Sequence, residues 1–175
     1  MKKAFFVTIL LFSSMCVHAQ KVIIDKVDSD GKRYIATEFR GFSLGCYVEG
    51  NDTTWVLVYY LSEKREIDVG RKLLIKLSDE QVITLENKKQ IGPLDFESDY
   101  YSGRMHYTVY PSYYISKKDL LSIIAKGMIK IRVETNIDTF DRKEKDCKRI
   151  TESLSKEYKN IIELLQVKKT LYTDF

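Results

Sequence analysis

The sequence predicts an α+β fold: mostly antiparallel β-sheet, sandwich-like or an open barrel, with a short helix near residues 117–126 and a C-terminal helix packed on the sheet. Three observations lead there. The first half consists of short apolar runs of strand length separated by turn-forming residues, and several of these runs alternate with a period of two. The last stretch carries apolar residues at spacings of three and four, the mark of one helical face. Strands first and a helix last, joined mostly by hairpins, suit antiparallel sheet better than a βαβ arrangement.

Each element follows from local chemistry. Residues 22–27 and 33–39 flank Asp28-Ser29-Asp30-Gly31-Lys32, and an Asp-Gly pair between apolar runs is a hairpin signal. Residues 42–48 and 54–61 flank Glu49-Gly50-Asn51-Asp52, a second hairpin by the same logic. In the latter strand Trp55, Leu57, Tyr59 and Leu61 share one face while Val56, Val58 and Tyr60 share the other, so a central strand is expected. Leu73, Ile75 and Leu77 alternate with Lys72 and Lys76, and Ser78-Asp79-Glu80 turns the chain into residues 82–85, a third hairpin with one wet face. Residues 86–101 lack periodicity and read as a long loop or irregular edge, after which strand pattern resumes over 104–110 and stops at Pro111. Ser116-Lys117-Lys118-Asp119 matches a capping box, and Gly127 is placed to end that helix. Ile129, Ile131 and Val133 alternate with Lys130, Arg132 and Glu134, with the first set expected inward. The last helix, from about Asp141, carries a stripe of Cys147, Ile150, Leu154, Tyr158, Ile161 and Leu165.

The N-terminus points to export. Lys2 and Lys3 precede an apolar run from Ala4 to Phe12, and Val17 and Ala19 supply the small-residue pattern for cleavage between Ala19 and Gln20. Residues 1–19 thus read as a signal peptide and 20–175 as a single α+β domain. The run is too short for a permanent membrane span. Cys16 raises a lipid anchor as the alternative, but Ser13, Ser14 and Met15 depart from a lipobox. The Lys-Lys start and Ala-Gln junction resemble envelope proteins of Gram-negative bacteria, which implies a periplasmic or extracellular location.

Composition excludes other classes. Without Lys2 and Lys3 the chain keeps 27 basic residues against 25 acidic, with signs interspersed, so no electrostatic footprint for nucleic acid exists. Beyond the leader only Cys46 and Cys147 remain, an even pair in an oxidising compartment. Both fall on inward faces, which permits a disulfide and equally describes two buried thiols.

Candidate chemistry is sparse. Gly41-Phe42-Ser43-Leu44-Gly45 has the spacing of a nucleophile elbow, but a strand follows it where the motif needs a helix. His106 is the one histidine beyond the leader and makes no ordinary zinc site alone, so no metal and no cofactor are expected. Asp28, Asp30 and Gly31 resemble part of a calcium loop, with Lys26 where its first ligand belongs. Asp95, Glu97 and Asp99 would share a face if extended, as the carboxylates of a small secreted hydrolase would. Six of the twelve tyrosines lie within residues 100–114. Tyr100, Tyr101, Arg104, His106, Tyr110 and Tyr113 are therefore the expected ligand contacts of a non-catalytic domain binding a protein or a glycan, since tyrosine offers a flat apolar face and a hydroxyl.

Overall fold

The structure, a computed structural model, describes residues 23–27, 29, 31–37, 42–61, 66–89, 95–98 and 105–173. The expected signal peptide with its Ala19–Gln20 junction, and the residues Asp99, Tyr100, Tyr101 and Arg104, lie outside the described residues. The fold is α+β, as the periodicity predicts, and its strands pair antiparallel throughout.

A first sheet is built from β1 (Ile23–Val27), β2 (Arg33–Thr37), β3 (Phe42–Glu49), β4 (Asp52–Tyr59) and β9 (Ser112–Ile115), in the order β1-β2-β3-β4-β9. A second runs β11-β10-β5-β6, from β5 (Lys72–Leu77), β6 (Val82–Glu86), β10 (Met128–Glu134) and β11 (Thr139–Arg142). β7 (Asp95–Ser98) and β8 (Met105–Thr108) form a separate pair. One bridge, Asn87 to Tyr113, joins β6 to β9, so the two sheets continue into each other along one side. The barrel is not closed: helix α2 (Glu144–Thr173) packs between β10 and the β2–β3 side and fills the remaining gap.

Helix α1 (Lys117–Lys126) begins and ends where its sequence says. Ser116 accepts the Asp119 N–H at 3.0 Å and donates its hydroxyl to the Asp119 carboxylate at 2.6 Å. Gly127 takes φ +80°, which a side chain would resist, and its N–H closes on the Ile123 carbonyl at 2.9 Å.

One continuous core joins both sheets and both helices. Trp55, Leu57, Tyr59 and Leu61 face it from β4, Phe42, Leu44 and Cys46 from β3, and Leu73, Ile75, Leu77, Ile131 and Val133 from the second sheet. Helix α2 contributes Cys147, Leu154 and Ile161, all fully buried; a side chain of that size stabilises by about 1.5–3 kcal/mol when buried. Among the described residues no helix is long and apolar enough to cross a membrane.

Several expectations are corrected. Residues 95–98, within the segment expected as a long loop or irregular edge, form a regular strand, because a partner strand supplies hydrogen bonds that a non-periodic sequence does not advertise. β9 lies beyond Pro111 and β11 precedes the last helix, which starts at Glu144 and not Asp141. A register shift between Met128 and Lys130 takes Ile129 out of the alternation, so Met128 and not Ile129 enters the core. For Cys46 and Cys147 the sequence leaves a bridge and two buried thiols equally open; here both are buried and free. Trp55 is the cross-strand partner of Cys46 and its ring lies 5.1 Å from that of Tyr158.

Candidate functional site

The alternation of the first sheet places its tyrosines in two environments. On the outer face, paired residues form a row across all five strands: Ile24, Ala36, Gly45, Val56 and Tyr114. Tyr34 and Tyr47 stand in the adjacent row, directly opposite each other. Their rings are 4.8 Å apart and tilted by 38°. Glycine at position 45 makes this possible, since a Cβ there would lie 2.8 Å from the Tyr34 hydroxyl and 3.2 Å from the Ile35 carbonyl. Tyr34 therefore lies down on the sheet. Tyr47 keeps 36% of its surface and Tyr114 46%. Strand spacing and rise put these two residues about 12 Å apart on one face.

The inner face holds Tyr59 and Tyr113. Tyr113 pairs with Leu57 and Tyr59 N–H bonds the Pro111 carbonyl, so the two tyrosines are diagonal neighbours on the core side. Tyr59 packs its ring 4.7 Å from that of Phe42. Arg142, at the end of β11, crosses to it: Nε donates to the Tyr59 hydroxyl at 2.6 Å, and the guanidinium lies 5.4 Å from the Tyr59 ring and 5.3 Å from the Phe140 ring. Burial pushes both phenols above their ordinary pKa, Arg142 opposing this at Tyr59, and each is neutral at physiological pH. Tyr113 is fully buried and its hydroxyl finds no hydrogen-bond partner.

A third polar set ties helix to sheet. Glu157 is fully buried, yet it sits on the apolar stripe three residues after Leu154 and four before Ile161. Its Oε2 accepts the Leu44 N–H at 3.0 Å and the Thr37 hydroxyl at 2.9 Å, and Oε1 accepts the Ser153 hydroxyl at 2.7 Å. Ser43 donates to the Thr37 carbonyl at 2.8 Å. Ser43 is thereby engaged in a buried structural network on a strand, which removes it as a nucleophile.

Of the expected contact residues, Tyr113 is in the interior and Tyr110 is half-buried with its ring 5.8 Å from that of Tyr60. His106 lies in β8 directly opposite Glu97, and Asp95 opposite Thr108. Tyr114 belongs to the 100–114 cluster that the sequence points to, whereas Tyr34 and Tyr47 lie outside it; period-two alternation marks all three as sharing a face once strand pairing is known. Arg142 and Glu157 gave no sequence signal beyond a polar residue beside an apolar pattern.

Two shallow depressions lie among the described residues. One of about 150 Å³ on the outer face of the second sheet is lined by Leu74, Lys76, Val82, Lys130 and Arg132. Its cations are already paired: Asp141 holds Arg132 at 2.7 Å and Lys130 at 3.0 Å, and Glu80 holds Lys76. The other, about 320 Å³, lies along the β10–β11 turn by Arg71 and Asn136. Among the described residues no three His, Cys, Asp or Glu side chains gather as a metal-binding group would require. Comparison of the chain with protein-family models, with curated proteins and with solved structures finds no match.

Proposed function

We propose that the protein is a non-catalytic binding domain of the bacterial cell envelope, and that it holds a glycan chain on the outer face of its first sheet. The observation that carries this reading is the exposure of Tyr47 and Tyr114 on one face, with Tyr34 laid flat beside Tyr47. Sugar rings present apolar C–H faces that stack on such rings, and a separation of about 12 Å spans two to three sugar units. Phenol hydroxyls and the neighbouring Thr54 and Lys26 offer polar contacts at the rim.

The test is a glycan-array screen with the purified chain, followed by titration of the best ligand against Tyr47→Ala and Tyr114→Ala. Each substitution is expected to weaken binding at least about tenfold while leaving the unfolding midpoint within experimental error, as exposed positions allow. Undiminished glycan binding in the double variant refutes the site. Capture of a protein with the same residue dependence redirects the reading to a protein partner. Export is checked by peptide mapping: a mature N-terminus at Gln20 in the envelope fraction supports it, and an intact leader in the cytoplasm overturns it.

A small hydrolase is the second reading, favoured by the register that sets Glu97 opposite His106. It requires turnover of a glycan or ester that Glu97→Gln abolishes.

A further inference from the structure

Of the four asparagines in the chain, only Asn51 is followed two positions on by a hydroxyl residue, Thr53. Asn-x-Ser/Thr, with x other than proline, is the acceptor sequence for N-linked sugars, and it works only at the surface of an exported chain. Motif and exposure are independent conditions, and here they coincide. Asn87 is buried and Asn136 and Asn160 are half-buried, whereas Asn51 is exposed together with Asp52 and Thr53.

The hairpin explains the exposure. Glu49 and Asp52 are the last paired residues of β3 and β4, so Gly50 and Asn51 alone make the turn. Gly50 takes φ +60°, the conformation that the first residue of a two-residue hairpin turn requires, and Asn51 follows it at the tip. A Cβ built on Gly50 would meet nothing within 4 Å, so the tip stands in open space. Among the described residues no hydrogen bond engages the Asn51 carboxamide or the Thr53 hydroxyl. Both groups are therefore accessible in the folded protein. Glu49 and Asp52 flank the acceptor with exposed carboxylates, a charge pattern complementary to a cationic enzyme surface.

We propose that Asn51 is a site of N-linked glycosylation, with Thr53 as the residue a transferase recognises. The reaction joins the Asn51 Nδ2 to the anomeric carbon of a glycan carried on a polyprenyl diphosphate. The anomeric C–O bond breaks, the diphosphate leaves with the bonding electrons, and one amide proton passes to a base of the transferase. The inference rests on the export part of the proposed function, and it is independent of the tyrosine face as a binding site.

The experiment reads the full chain recovered from the envelope of its own cell, by intact mass and peptide mapping. The expected result is a mature N-terminus at Gln20 and a mass excess of whole sugar residues on the peptide that holds Asn51. That excess is expected to survive mild alkali, which strips sugars from serine and threonine. Asn51→Gln and Thr53→Val are each expected to abolish it, and Thr53→Ser to keep it; these exposed positions tolerate the changes without loss of the fold. Sugar attached to Thr53 or Thr54, an excess that persists in Asn51→Gln, or a leader-free chain with Asn51 unmodified overturns the site while the export reading stands. An intact leader in the cytoplasm overturns both.

Discussion

Glu157 on helix α2 accepts the backbone N–H of Leu44 on β3 at 3.0 Å, where the β2–β3 ladder ends. The paired register stops at Ala36 and Gly45, so the next backbone groups lack a strand partner. The Thr37 hydroxyl and the Glu157 carboxylate take over that role, and the helix is thereby fixed to the sheet at one register.

Removing this carboxylate takes the shorter acceptor from the Leu44 N–H and the Thr37 hydroxyl, which keep only 3.2 Å contacts with each other's residue, and one acceptor from the Ser153 hydroxyl. Glu157→Ala is expected to cost about 1–3 kcal/mol, the range for leaving buried hydrogen-bonding groups unsatisfied. Glu157→Gln keeps one accepting oxygen and is expected to cost less than half as much. Urea unfolding at neutral pH measures both, and equal losses in the two variants would show that the carboxylate's hydrogen bonds do not matter.

Tyr113→Phe removes a buried hydroxyl that has no hydrogen-bond partner in the structure. The variant is expected to be as stable as the parent or up to about 1 kcal/mol more stable. A loss above about 1 kcal/mol, read from thermal unfolding in chloride buffer, contradicts the idle hydroxyl.

Gly45→Ala places a Cβ 2.8 Å from the Tyr34 hydroxyl and 3.1 Å from its Cε2. Overpacking of this kind costs about 1–3 kcal/mol. The ring can move but the Ile35 carbonyl cannot, so Tyr34→Ala in the same chain is expected to recover part of the loss. A double-mutant cycle with no coupling between the two positions counts against the close approach.

Asp141 accepts two hydrogen bonds from Arg132, at 2.7 and 2.8 Å, and lies 3.0 Å from Lys130. The Arg132 hydrogen bonds, helped by Lys130, hold its carboxyl well below the usual carboxylate range. A depressed folded pKa means the stabilisation is complete above the unfolded value of about 3.9 and fades as the pH falls below it. The group is exposed, so solvent screening limits the effect to about 1 kcal/mol or less. Asp141→Asn is expected to lower stability slightly at pH 7 and not at all in acid, with the difference shrinking in high salt. A gap between the two proteins that widens in acid has the wrong sign for this pair.

Cys46 is fully buried, and burial pushes its thiol up to about 11; Cys147 is raised for the same reason. Thiolate is the reactive form, so both are expected to resist maleimide labelling in the native protein and to react once it is unfolded. Rapid labelling before unfolding, or a mass two hydrogens low without reduction, is the contrary result.

Local chemistry by itself determined the α+β class, the hairpins around Gly31, Gly50 and Glu80, the Ser116 and Gly127 caps, and the buried stripe of the last helix. Each of those is decided by neighbours along the chain: a turn that needs positive φ, a side chain that caps its own helix, or an alternation that fits one period. Strands β7, β9 and β11 and the displaced Ile129 depended on partners far away in sequence, because a short strand is stabilised by what it pairs with. The same holds for the sites. Clustering drew attention to residues 100–114, yet adjacent Tyr113 and Tyr114 point to opposite faces of one strand, the first into the barrel beside Tyr59 and the second outward with Tyr47. Only the pairing of β9 with β4 assigns those directions. Only the packing of the second sheet and the last helix against the first sheet brings Arg142 to Tyr59 and Glu157 to Leu44, from 83 and 113 residues away along the chain.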